Sequence, residues 1–114
     1  MSDLKRSNIN IEVLTNENNI PEKITWSAKE GGVDKDDAKA IILSLWNEKD
    51  EAAMRIDLWN KDMTVDEMKK FMHQTLLTMA DTFERATGEK NITEDLRDYC
   101  HHFAEKMDIL PPLN

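Results

Sequence analysis

His101 and His102 sit side by side near the end of the chain, with Asp98 three residues before His101 and Glu105 four residues after it. On a helix these spacings bring carboxylates next to the His101 imidazole, the donor types of a transition-metal site. Consecutive helical positions diverge by about 100°, however, so the two imidazoles cannot share one ion without distortion. A solvated helix face is the favoured reading, and no metal site is expected. His73 lies on a different predicted helix. Cys100 next to His101 is no nucleophile–base pair for the same angular reason, and as the single cysteine on an apolar helix side it reads as packing. Gly31-Gly32 lacks the flanking pattern and the following Lys-Ser/Thr of a phosphate loop. The carboxylates include no isolated pair in an apolar setting that would raise a pKa. No catalytic residue, cofactor or metal ligand is assigned, and the chain is read as no enzyme.

The elements that would carry any other activity are clearer. Met54, Ile56 and Leu58 alternate with Arg55, Asp57 and Trp59, the period of a strand over 53–59. A short polar turn leads to Thr64, an N-cap with Glu67 completing a capping box and Met63 and Met68 at the spacing of a hydrophobic staple. Val65, Met68, Met72, Leu76, Met79, Phe83 and Ala86 then form one apolar stripe until Gly88, a residue suited to the left-handed stop. A last helix is predicted from Thr93, burying Leu96, Tyr99, Cys100, Phe103 and Met107 and ended by Pro111-Pro112. Of the seven methionines, Met63, Met68, Met72, Met79 and Met107 fit core or staple positions.

Upstream, Ile9, Ile11 and Val13 alternate with Asn10 and Glu12, and Asn16–Asn19 turns the chain into a second strand around Lys23–Ser27. Gly31-Gly32 and the acidic Asp34–Asp37 read as a longer connection with room for a helical turn. Ile41, Leu43 and Leu45 then alternate with Ile42, Ser44 and Trp46. A strand is favoured there, because Asn47–Glu51 is a suitable hairpin turn; a helix through Ala38 and Ala40, capped by Asp34 or Asp36, is the alternative. The expectation is an α+β fold: a four-stranded antiparallel sheet of two hairpins, followed by two C-terminal helices packed on one face.

One domain over 1–114 is expected, with 1–7 and 109–114 as poorly ordered tails. The 15 basic and 23 acidic residues give a net charge of −8 with the signs interspersed, which disfavours nucleic acid. The first residues lack a signal-peptide h-region, and no run reaches the length of a membrane span, so a cytoplasmic location is expected.

On the predicted pleats Ile41, Leu43, Leu45, Met54, Ile56 and Leu58 face the helices. Ile42, Trp46 and Trp59 then share the opposite face with Arg55 and Asp57. Aromatics beside an arginine are enriched at the centres of protein interfaces, so these five residues form a candidate protein interface. The alternatives are a covering loop such as 28–37 or a reversed face. Leu77, which falls off the apolar stripe among Asp66, Lys70, Asp81 and Glu84, is a sixth candidate.

The segments RIDLWNKDMTVDEMKKFMHQTLLTMADTFERATG, IPEKITWSAKEGG, AKAIILSLWN and DYCHHFAEKM, in this order, resemble the gliding motility protein GldC family of Bacteroidetes, over roughly Ile9 to Met107. The resemblance implies a small cytoplasmic accessory of the cell-surface gliding apparatus, which is coupled to a protein-secretion system, and it brings no known catalytic or ligand residues. The leading functional expectation is a non-enzymatic interaction protein that self-associates or binds a motility or secretion component. Two alternatives stand beside it: a chaperone or targeting factor similar to SecB, by analogy of four strands followed by two helices, and a small-ligand-binding domain.

Overall fold

The computed structural model describes residues 3–109, and the chain divides into two compact units, residues 1–63 and 64–114. The first unit is built from strands. β1 (Asn10–Thr15) pairs antiparallel with β2 (Pro21–Ala28), and β2 with β3 (Val33–Ala38); β4 (Ala40–Asn47) pairs antiparallel with β5 (Ala52–Trp59). The strands therefore form a three-stranded sheet, β1-β2-β3, and a two-stranded one, β4-β5. This corrects the expected single four-stranded sheet. The fold class, α+β with antiparallel pairing and two C-terminal helices, is as expected.

The fifth strand is β3, in the segment VDKDDA that reads as a connection. Three aspartates in six residues disfavour a strand intrinsically, but pairing with β2 overrides that preference. Between Trp26 opposite Asp36 and Ala28 opposite Val33, two residues of β3 face one of β2. The extra residue makes a bulge. Lys35 takes φ 55 there, and its N–H donates to the Ser27 hydroxyl at 3.0 Å. Before β3, Lys29–Gly31 forms a single 3-10 turn ending on Gly32 at φ 85.

The two hairpin turns follow from their asparagines. Asn16 Oδ1 accepts the N–H groups of Asn18 (2.8 Å) and Ile20 (3.1 Å), closing the β1–β2 turn; Asn47 Oδ1 accepts that of Lys49 (3.1 Å) and opens the β4–β5 turn. A bridge links the sheets at their junction. The Asn60 N–H donates to the Lys39 carbonyl at 2.8 Å and the Lys61 N–H to that of Pro21 at 3.2 Å, while buried Asn60 uses its side chain to accept from the Asp62 N–H. The core of this unit centres on Ile24, 1% exposed, which lies between Val13 and Ala38 on neighbouring strands.

The second unit is a helical pair. α1 (Val65–Thr87) begins with the expected capping box, in which the Thr64 hydroxyl accepts the Glu67 N–H at 3.0 Å and Glu67 accepts that of Thr64 at 3.0 Å. Gly88, at φ 72, ends it. α2 (Lys90–Lys106) starts three residues before the expected Thr93. Thr93 is no cap: it is fully buried and its hydroxyl donates to the Glu89 carbonyl at 2.6 Å. α2 stops in a Schellman turn, with Asp108 at φ 56, its N–H on the Glu105 carbonyl and that of Ile109 on the Ala104 carbonyl. The stop assigned to Pro111-Pro112 lies outside the described residues, as do residues 1, 2 and 110–114 of the expected tails.

α1 and α2 meet along a face different from the apolar stripe read in the sequence. Ala80, Thr93, Cys100 and Ala104 are fully buried, whereas Val65, Met72, Met79 and Phe83 of the stripe and Tyr99 of α2 remain exposed. Small residues let two helices approach closely, and the side chains at 73, 77, 80 and 84 follow the spacing of one helical face. Phe83 is 42% exposed, so Phe83→Ala is expected to cost less than about 2 kcal/mol, below the 3–5 typical of a buried phenylalanine, as measured by thermal or urea unfolding.

Candidate interaction surface

The register of β4 with β5 decides where the candidate residues lie. Ala40 pairs with Trp59, Ile42 with Asp57, Ser44 with Arg55 and Trp46 with Ala53, so Ile42, Trp46, Arg55, Asp57 and Trp59 share one face of the hairpin. Ile41, Leu43, Leu45, Met54, Ile56 and Leu58 share the other. Trp46 is 70% and Trp59 56% exposed. The segment 28–37, considered as a cover, is the 3-10 turn and β3, paired to β2.

The two tryptophans do not stack into one patch. Six residues separate Trp46 from Ala40, the partner of Trp59, which at strand rise is about 20 Å. Trp59 lies diagonal to Ile42, and Trp46 diagonal to Arg55. Between the two rings runs a polar strip in which Arg55 Nε donates to Asp57 Oδ2 at 2.8 Å. Both charged side chains are largely exposed, so this pair orients the guanidinium more than it stabilises the fold. The face thus offers two apolar anchors flanking a bidentate-capable cation and a carboxylate.

The opposite face is also open. Leu45, Met54 and Ile56 are each about half exposed, so it is no closed core. Leu77, the sixth candidate, is half-buried and lies one turn before Ala80 on α1.

Polar side chains of the helical unit pair with one another across and along the helices. Arg97 of α2 donates to Glu84 at 2.7 Å and Asp81 at 2.9 Å of α1, and these hydrogen bonds raise its pKa. His73 stacks on Phe103 with centroids 6.3 Å apart, and His101 Nε2 lies 2.8 Å from Glu105 Oε1 with both side chains exposed. Among the described residues no three His, Cys, Asp or Glu side chains group in a way that could hold a metal ion. In the strand unit Lys61 reaches Glu22 at 2.7 Å, a hydrogen bond that raises the lysine pKa. Burial pushes the Cys100 thiol up, which lowers its thiolate fraction. A thiol reagent at mildly alkaline pH is therefore expected to label Cys100 at least about tenfold more slowly in the native protein than in denaturant, followed by absorbance of the released chromophore.

No helix among the described residues is long and apolar enough to cross a membrane. The chain is thus a small α+β protein whose β4–β5 hairpin carries solvent-exposed tryptophans. The family model described as gliding motility-associated protein GldC-like matches residues 21–109, and the chain belongs to that family. Searches of curated proteins and of solved structures each return no significant match. The protein is therefore gliding motility-associated.

Proposed function

We propose that this protein is a non-enzymatic, cytoplasmic accessory of the gliding machinery that works by binding another protein of the motility or secretion apparatus through the outer face of the β4–β5 hairpin. The observation that carries this reading is the pair of large aromatics, Trp46 and Trp59, more than half exposed on the face that also bears Arg55. Exposed tryptophan and arginine are the residue types that dominate binding energy when desolvated, and nothing about folding rewards keeping them in water.

The test is genetic and quantitative. In cells lacking the native gene, a Trp46→Ala/Trp59→Ala variant is expected to reach normal abundance yet fail to restore surface spreading. Normal spreading by that variant would overturn the assignment of this face. A second reading, a chaperone for exported proteins, draws on the exposed apolar positions of the opposite face, Leu45, Met54 and Ile56, and of α1, Met72, Met79 and Phe83. Its fold analogy required four strands in one sheet, which this chain does not form. Failure to suppress aggregation of several unfolded proteins would remove it.

A further inference from the structure

We propose that β4 is a self-pairing edge: two copies of the chain join antiparallel across a two-fold axis, β4 against β4, to make one four-stranded sheet in the order β5-β4-β4-β5. This concerns the edge of the hairpin and goes beyond the reading of its tryptophan face.

Exposed strand edges present unpaired N–H and C=O groups, and proteins that stay monomeric blunt them with charges, proline or bulges. Three of the four sheet edges among the described residues are blunted in this way. β1 carries Glu12 and a register shift between Leu14 and Thr15; β3 carries Asp34, Lys35, Asp36 and Asp37 and the Lys35 bulge; β5 carries Arg55 and Asp57. β4 has none of these devices. Its sequence, AIILSLWN, holds no charge and no proline, and its eight residues pair with β5 in unbroken register. On its other side no strand is paired among the described residues.

A sheet of two strands, even one joined to its neighbour through the Asn60 and Lys61 backbone bonds, gains stability from further strands on an apolar face. A second copy supplies the missing strands. Symmetry selects β4 rather than β5 as its partner, because like-with-like pairing closes at two chains while β4 on β5 would propagate into an open filament. A two-fold axis normal to the sheet keeps each face on its own side. Centring that axis on Leu43 sets Leu43 opposite its own copy and Ile41 opposite the second copy's Leu45, so the aliphatic face pairs without a polar residue opposite an apolar one. An edge-to-edge joint buries the flank of β4 but not the side chains that stand on the two sheet faces, so the interface is small and the dimer is expected to dissociate on dilution through the micromolar range.

Light scattering on the full chain over a concentration series is expected to approach twice the 13.2 kDa chain mass, and Leu43→Lys to restore the monomer mass with native tryptophan fluorescence. Leu43→Cys is expected to form an intermolecular disulfide under mild oxidation, since directly opposed positions lie about 4.5–5.5 Å apart at Cβ, while Ser44→Cys and the wild type, whose Cys100 is buried, do not. Should Leu43→Lys fail to fold, the cysteine pair still decides the question. A monomer at all concentrations with no Leu43→Cys cross-link would overturn the proposal, as would a dimer that a folded Leu43→Lys leaves intact. Trp46→Ala is expected to keep the dimer; a monomeric Trp46→Ala would move the contact to the tryptophan face and overturn the edge. Loss of surface spreading by the tryptophan variants, with the dimer intact, separates the two readings.

Discussion

Ile24→Ala is expected to lower the stability of the strand unit by about 2–5 kcal/mol, a large share of the 5–15 typical of a whole domain. Ile24 is 1% exposed, the largest fully buried side chain of this unit, and its strand neighbours on the same face are Val13 and Ala38. Truncation removes methyl and methylene groups from contact and leaves a cavity that the paired backbones of β1 and β3 cannot close by moving inward. The readout is specific, because Trp26, Trp46 and Trp59 all lie in residues 1–63. The urea midpoint followed by tryptophan fluorescence should fall for Ile24→Ala and change far less for Ile11→Ala, whose side chain is 37% exposed. Equal effects at both positions would show that Ile24 is not the centre of the core.

Ala80→Leu is expected to destabilise the helical pair by about 1–3 kcal/mol despite adding apolar surface. Ala80 is fully buried in α1, and α2 contributes fully buried Thr93, Cys100 and Ala104, so added carbons have no void to enter. They would spread the helices and lengthen the Arg97 hydrogen bonds to Asp81 and Glu84. Ala86→Leu, at an exposed position of the same helix, should stay within about 0.5 kcal/mol of the wild type. Thermal melts read by helical ellipticity distinguish the two. A stabilised Ala80→Leu would mean that the helix pair has slack at its centre.

Much of the local structure was legible. The capping box Thr64–Glu67, the Gly88 stop, the Asn16 and Asn47 turns and the alternation in β1, β4 and β5 all rest on interactions within a few residues, so they survive in any tertiary setting. The shared face of Ile42, Trp46, Arg55, Asp57 and Trp59 was legible for the same reason, since the pleat fixes parity once the strand exists. β3 was not, because an aspartate-rich hexapeptide becomes a strand only when β2 offers its hydrogen bonds. The α2 start was missed because Thr93 has the chemistry of a cap and, buried, bonds to the Glu89 carbonyl instead.

By itself, then, the sequence determined the types of every element but β3, the side-chain parity of β4 and β5 and membership of the GldC-like family, all of which depend on short-range sterics and hydrogen bonding or on the order of residues. Tertiary structure alone decided that five strands divide into sheets of three and two, and that α1 meets α2 through small residues while Met72, Met79 and Phe83 stay exposed. Those outcomes turn on which surfaces approach most closely, and close approach rewards small side chains that an amphipathic reading passes over.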